Sequence, residues 1–304
     1  MIRSSIIKIL YKKTIPYLWG YDNFCSLIKL LFNNSSSPWL SRLPVKPGLL
    51  INAKFSLGNF ILTRPERCSI AKKLYWTNGR IYPLEDELAI EYFARLSQDS
   101  KFILDIGSNS GVFSIVSAIA NPKAKVFSYD ILPEAFHILI DNLIINNLTA
   151  LVTPYLIGVG KSSIYHAPFN NITSEMPTSL KLDQDYKDNN SVEVEVKTLD
   201  NIFYELKIDD QACIKIDVEG FEGDILRNSI LVLKNHRPYF LCEVLSTVLD
   251  FSDYDKLLSE YSYNKYLITD KGLILHEKII PNIRFKDWLF IPKEKADKVI
   301  SFLS

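Results

Sequence analysis

Carboxylates recur in this sequence where a buried strand should end. Asp105 closes the apolar run of FILDIGSNSGVFS, Asp130 closes KVFSYD, Asp217 closes CIKID and Glu243 closes YFLCE. In an open sheet of parallel strands the carboxyl ends share one rim, and ligands bind there. The loop after Asp105 reads D-x-G-x-N-x-G. Gly107 permits a sharp turn, Gly111 permits close backbone approach, and Ser108 and Asn109 complete the loop. The helix expected over 112–120 would point its first N–H groups at a ligand.

A dinucleotide fingerprint reads G-x-G-x-x-G. Here the lead residue is acidic and the third glycine is missing. A carboxylate beside a pyrophosphate is repelled, whereas it suits a cationic head such as the amino-acid portion of S-adenosylmethionine. Asp130 is placed to accept hydrogen bonds from ribose hydroxyls. It could instead merely cap the helix opening at Leu132–Pro133, but the paired placement of Asp105 and Asp130 on successive strand ends favours the ligand. Gly158 and Gly160 in LIGVG would let a flat adenine pass close, although glycines also mark plain turns.

The stretch IKIDVEGFEGDIL holds the second group of candidates. Lys215 sits inside a strand, where an unpaired ammonium is costly, and an ion pair with Glu243 on the next strand is one solution. Asp217, Glu219 and Glu243 are the candidates for chemistry with Lys215. One acid could serve as general base toward a substrate hydroxyl, and one could orient the cofactor's sulfonium region, so Asp217 is a candidate for cofactor binding as well as for catalysis. The three together could hold Mg²⁺ through oxygen ligands. Glu219 and Glu222 also suit the positive end of a helix, and Glu222 is read in that way. The scattered Cys25, Cys68, Cys213 and Cys242 form no C-x-x-C, so no zinc site or disulfide framework is expected. Of the histidines, His166 alone is placed to reach a substrate as a base. His137 and His236 are read as structural, and His276 is uninformative.

Strands at 102–105, 125–130, 151–157, 213–217 and 239–243 must position these groups, with helices at 112–120, 133–145 and 221–233 between them. Fully apolar strands alternating with helices predict a mostly parallel sheet covered on both faces. Late strands at 266–269 and 288–291 lack a clear intervening helix, which predicts an antiparallel edge. The polar stretch 161–196 interrupts this rhythm; so long a loop is a lid or a solvated decoration, and VEVEV within it alternates as a strand does. Residues 49–63 read as a hairpin around SLGN, and Asn78–Gly79 as the turn before a helix from Leu84.

The chain is expected to divide into an extension over 1–85 and a main domain over 86–304. The extension begins with two helical pieces, the second carrying Phe24, Leu27, Ile28, Leu31 and Phe32 on one face. Such a stripe is normally core, although the local excess of Arg3, Lys8, Lys12, Lys13 and Lys29 over Asp22 also suits a membrane surface or a partner, including a second copy. The chain of 304 residues, 47% apolar and with 35 basic and 35 acidic side chains, supports a large core and gives no reason to expect nucleic acid. The apolar run at the start is broken by Lys8 and ended by Lys12 and Lys13, too short for a signal peptide core. No uncharged stretch is long enough to span a bilayer. These features predict a cytoplasmic protein with free thiols.

FILDIGSNSGVFS, TLDNIF, IKIDVEGFEGDIL, RPYFLCEV and WLFIP resemble, in order and spacing, the FkbM family of S-adenosylmethionine-dependent methyltransferases. The resemblance spans roughly residues 75 to 292, with KIDVEGFE its most specific block. It implies an α/β, Rossmann-like class I methyltransferase domain with a seven-stranded sheet. The implied reaction is O-methylation of a hydroxyl on a sugar, glycan, polyketide or peptide metabolite. It places Asp105, Gly107, Asn109 and Gly111 in the cofactor loop and Asp130 where such enzymes commonly carry Glu. Asp217 and Glu219 match its D-V-E-G. Asp200 matches its L-D block as a structural residue. The rival readings are an N-methyltransferase, an NAD-dependent oxidoreductase and a non-catalytic binding module. The acceptor pocket is expected from 161–196 and the N-terminal arm.

Overall fold

A computed structural model describes residues 14–31, 40–168, 191–245, 252–280 and 282–303. The first helical piece, Phe32, the linker at 33–38 and the centre of the 161–196 insertion lie outside them.

In chain order the chain forms helix α1 (Tyr21–Leu31), the hairpin β1 (Ile51–Phe55) and β2 (Gly58–Leu62), then α2 (Ser69–Trp76) and α3 (Leu84–Gln98). The alternating units β3 (Phe102–Ile106), α4 (Val112–Ala120), β4 (Lys125–Tyr129), α5 (Pro133–Ile145) and β5 (Val152–Tyr155) follow. Next come β6 (Gly158–Val159), β7 (Ser163–Pro168), β8 (Ser191–Lys197), α6 (Leu199–Leu206), β9 (Ala212–Ile216), α7 (Glu222–Arg227) and β10 (Tyr239–Glu243). The chain closes with α8 (Ser252–Glu260), β11 (Tyr263–Thr269), β12 (Gly272–His276), β13 (Asp287–Pro292) and α9 (Ala296–Leu303).

The central sheet runs β12-β11-β13-β10-β9-β3-β4-β5. Its strands from β10 to β5 are parallel, and β13, β11 and β12 form the antiparallel edge. Among the described residues the sheet has eight strands where seven were expected. The additional one is β12, five residues at the outermost position with two of them exposed, which leaves little hydrophobic signal in the sequence. The expected helix over 221–233 is also shorter: α7 ends at Arg227, and a π-helical turn covers Val232–His236. Asp200 accepts hydrogen bonds from the N–H groups of Leu231 (3.2 Å) and Val232 (2.9 Å) at the start of that turn. Asp200→Ala therefore removes a cap, and urea titration should show a loss of about 1 kcal/mol, with ligand binding at the distant rim unchanged.

Strand pleating turns alternate residues to opposite faces. Phe102, Leu104 and Ile106 of β3, Ile214 and Ile216 of β9, and Phe240 and Cys242 of β10 share one buried cluster. Ile103, Cys213, Tyr239 and Leu241 belong to the other cluster, together with the hairpin, α3, α4 and α5. Asp105, Lys215, Glu243 and Asp287 stand at the alternate positions of their strands, so all four project toward the face covered by the hairpin and α3.

A chain boundary at 85 does not separate two cores. Phe60, Leu62 and Ile81 lie in the same cluster as Ile103 and Ile115. The Asn142 side-chain carbonyl accepts from Thr63 N at 2.7 Å, and Asn146 accepts from Ile61 N at 2.8 Å. The arm carries a small cluster of its own, in which Tyr21, Cys25 and Ile28 of α1 meet Leu40, Val45 and Trp76.

Candidate active site

The sheet order reverses beside β3: β4 and β5 extend on one side, β9 and β10 on the other. A crevice forms at such a switch point, outside the carboxyl ends of the strands. A cavity of about 360 Å³ occupies that position, within the range of small-molecule sites.

The loop after β3 is held by backbone. Gly107 N and Ser108 N both donate to Tyr129 O at 2.9 Å, and Asp217 N donates to Ile106 O at 3.1 Å. Gly107 adopts φ +76°, and a Cβ there would stand 1.8 Å from the Asp217 carbonyl oxygen. Two strand exits thus meet at a point where only hydrogen fits. Asp130 accepts from Asn109 N at 2.7 Å through one oxygen and from Leu132 N at 2.8 Å through the other. It caps the approach to α5 and also ties down the loop, while lining the cavity with Ser108 and Asn109. Burial holds the Asp130 carboxyl above the usual range. Ser108 is 5% exposed, and its Oγ has no hydrogen-bond partner among the described residues.

Two expected loop contacts are corrected. Asp105 does not line the cavity. It is fully buried, accepts from Ser114 N (2.9 Å) and Ser114 Oγ (2.6 Å), and lies 3.9 Å from the Lys215 ammonium. Its carboxylate fixes the start of α4 and cannot face a cationic ligand head. Gly111 is also absent from the lining. It adopts φ +84° at the N-cap of α4, where a Cβ would strike Leu139 at 2.2 Å, so it serves packing between α4 and α5. Gly158 and Gly160 do line the cavity, beside Val159, Tyr165 and Val196.

The expected Lys215–Glu243 pair is replaced by another. Lys215 Nζ lies 3.1 Å from Asp217 and donates to Gly107 O at 3.1 Å. Burial alone would lower its pKa; the carboxylates of Asp217 and Asp105 outweigh burial and raise it. Register explains the exchange: Lys215 stands opposite Asp105 on β3, and Asp217 follows two residues later on its own side. Glu243 instead faces Lys286 at 3.7 Å and shares a hydrogen bond with Asp217. Burial, then the charges of Asp217 and Asp287, push Glu243 up to about 9. Glu243 is therefore protonated near neutrality and is a hydrogen-bond donor rather than a ready base. Burial and the Asp217 charge raise Asp287 to about 7.

Glu219 lies at the cavity, exposed, on a backbone with φ +54°. Glu222 is 3% exposed and accepts from Val218 N and Gly220 N, each at 3.1 Å, so it shapes the turn between β9 and α7. Among the described residues no three His, Cys, Asp or Glu side chains are arranged to hold a metal ion. Asp217, Glu219 and Glu243, which the sequence offered as one way to hold Mg²⁺, do not form such a group, and Asp217 lies beside Lys215 at 3.1 Å. His166 is also corrected: it pairs with Glu193 in the hairpin of β7 and β8, and its neighbour Tyr165 lines the cavity instead.

Sequence reasoning missed the other side of the cleft. Phe60, Ile70, Lys73, Tyr82, Asp86 and Ile90 line it, from the hairpin, α2, α3 and their connection. Lys73 and Asp86 approach to 3.8 Å. Asp287 was missed as well, although its place opposite Glu243 in the β10–β13 ladder brings it to the same rim. A signal existed in the D-W-L-F-I-P alternation, but reading it requires knowing that β13 lies beside β10.

The pH dependence of stability tests the Glu243 environment. Below about 4.5 both folded and unfolded chains hold the proton. Between 4.5 and about 9 the folded chain keeps a proton that the unfolded chain has released. Stability from this group therefore falls as pH rises through that window. Thermal melts of wild type should drop toward the alkaline end, and Glu243→Gln should flatten the slope. An unchanged slope would show that Glu243 is ionised as in water.

An open, mostly parallel sheet with helices between its strands and a glycine turn at its switch point defines a Rossmann-like α/β domain. The family model described as Methyltransferase FkbM domain matches residues 105–265. The chain belongs to the FkbM methyltransferase family.

A curated relative, "Methyltransferase 1" of Beauveria bassiana (strain ARSEF 2860), is 23% identical over 145 residues, covering 42% of this chain and 58% of its own length. The solved methyltransferase FkbM from Methylobacillus flagellatus KT is 19% identical with a TM-score of 0.42, covering 64% of this chain and 44% of that one. The chain thus spans less than two thirds of either relative. An O-methyltransferase from Bacillus cereus in complex with SAH is 12% identical, with a TM-score of 0.39 over 69% of this chain and 80% of that one.

Proposed function

We propose that the cleft binds S-adenosylmethionine and that the protein transfers its methyl group to a hydroxyl oxygen of a small-molecule or glycan acceptor. The observation that carries this reading is the pairing of the Gly107–Asn109 loop with the Lys215–Asp217 ion pair across one cavity. The residues fit the cofactor: Ser108 Oγ is a buried hydroxyl without a hydrogen-bond partner among the described residues, Asp130 stands at the second strand end, and Ile131, Leu132 and Val159 offer apolar surface for a base.

When bound, S-adenosylmethionine supplies an electrophilic methyl on a sulfonium. The chain's own groups do the rest. Ser108 and Asn109 would orient the donor, and Asp130 would hold its ribose end. Asp217 accepts the proton of the acceptor hydroxyl as the oxygen attacks, and Lys215 fixes the orientation of that carboxylate. Glu243, protonated, donates to Asp217 or to the acceptor. Phe60, Ile70, Tyr82 and Ile90 shape the acceptor side and exclude water, which strengthens the charges within. Positioning the two reactants supplies most of the acceleration. The four cysteines are buried and unbonded, in keeping with a cytoplasmic site of action.

The reaction class is tested by incubating the protein with methyl-labelled S-adenosylmethionine and a small-molecule extract. Label should enter methyl ethers. Label confined to N-methyl amines would replace O-methylation by the amine reading.

A further inference from the structure

Of the stripe expected to be core on the N-terminal arm, Ile28 is buried but Phe24, Leu27 and Leu31 are on the outside. Tyr21, Cys25 and Ile28 of α1 are buried against Leu40, Val45 and Trp76. Phe24 (44%), Leu27 (53%), Leu30 (76%) and Leu31 (64%) are exposed. Just before them Tyr17 (64%), Leu18 (57%) and Trp19 (102%) are exposed as well. The helix is therefore apolar on more of its circumference than its own cluster covers. A stable monomer has no reason to keep a contiguous patch of leucines and aromatics in water.

Charge says what the patch meets. The first 65 residues hold nine Lys and Arg against the single acid Asp22, a balance of +8. The whole chain is neutral, so the remaining residues carry −8. Four of those cations, Arg3, Lys8, Lys12 and Lys13, precede the patch directly, with no acid before Asp22. Two copies meeting through this face would bring like charges together. An anionic surface would neutralise them. Tyr and Trp at an apolar edge are the side chains that favour the membrane–water interface, and a helix with one apolar face flanked by cations lies in that plane. No described helix is long and apolar enough to cross a membrane.

We infer that the arm docks the protein on the surface of an anionic lipid bilayer, with α1 lying along the interface and Trp19 and Leu27 inserted. The attraction of such cations to an anionic surface is screened within a Debye length, so salt weakens it. The inference stands apart from the methyl-transfer reading, because none of these residues lines the cleft.

Flotation of the full chain with vesicles tests it. The chain should float with phosphatidylcholine vesicles containing phosphatidylglycerol, and much less with pure phosphatidylcholine or at high salt. The exposed-residue double variant Trp19→Glu/Leu27→Glu should keep the wild-type melting temperature and lose about tenfold or more in partitioning. Absence of flotation with either vesicle, or flotation unchanged in the double variant, would overturn the proposal. So would a wild-type dimer in light scattering that the double variant converts to monomer, since a second copy would then own the face.

Discussion

Gly107→Ala should abolish S-adenosylmethionine binding within the accessible range, a loss of at least ~100-fold. The added methyl would sit 1.8 Å from the carbonyl oxygen of Asp217, which belongs to the backbone and cannot rotate away. It would also force a side chain onto a left-handed backbone at φ +76°. Left-handed strain and overpacking each cost on the order of 1–3 kcal/mol. The loop and Asp217 must then separate, which moves both the donor loop and the candidate base. Calorimetry reads the affinity, and thermal melting should show a fall of several degrees. Gly220→Ala is the control: its φ is also positive at +107°, but a Cβ there meets nothing within 4 Å. It should keep most of the stability that Gly107→Ala loses. If Gly107→Ala binds the cofactor as wild type does, the close meeting of β3 and β9 is not what holds the loop.

Asp217→Asn should lower methyl transfer by about 10² or more while leaving cofactor affinity within about threefold, the scatter expected where a contact is not broken. The amide keeps the shape of the carboxylate but cannot take a proton from a hydroxyl. Asp217 is the choice over Glu243 because Glu243 is pushed up to about 9 and holds its own proton. Lys215 complicates a stability readout, since it is 4% exposed and in the variant keeps Gly107 O at 3.1 Å but trades the nearer of its two carboxylates for an amide, leaving Asp105 at 3.9 Å. The informative split is therefore in the rate constant at saturating donor. Production of S-adenosylhomocysteine at near wild-type rate would remove Asp217 from the base role.

Much of the rim was legible because its strands are buried on both faces. Fully apolar runs such as FILDI and YFLCE have no other good explanation than central strands, and a carboxylate ending each run marks the rim. Helices α4 and α5 begin and end where the sequence places them, since Gly111 and Pro133 punctuate them clearly. Partner choice was not legible. Pairing Lys215 with Glu243 assumed that neighbouring strands share charges, whereas register sets Lys215 beside Asp105 and leaves Asp217 within reach. His166 failed for a related reason: one step along a strand exchanges faces, so Tyr165 rather than His166 reaches the cleft.

The arm shows a different limit. A helix apolar on much of its circumference offers overlapping stripes, Tyr21/Cys25/Ile28 and the expected Phe24/Leu27/Ile28/Leu31, which share Ile28, and periodicity cannot say which is covered. Tertiary packing chose the first, through Trp76 at the end of α2. That helix, only eight residues long with the buried Lys72 in its middle, was itself not foreseen. With it one whole wall of the cleft was lost from view, since Ser69, Ile70 and Lys73 all lie on it.

Titration of the wild-type chain with S-adenosylmethionine and, separately, with NADH tests the central claim most directly. The expected result is one S-adenosylmethionine bound per chain with an affinity in roughly the micromolar range, and no heat from NADH. Saturable binding of NADH with none of S-adenosylmethionine would contradict it, and would mean that the loop opening with Asp105 and Gly107 holds a dinucleotide after all.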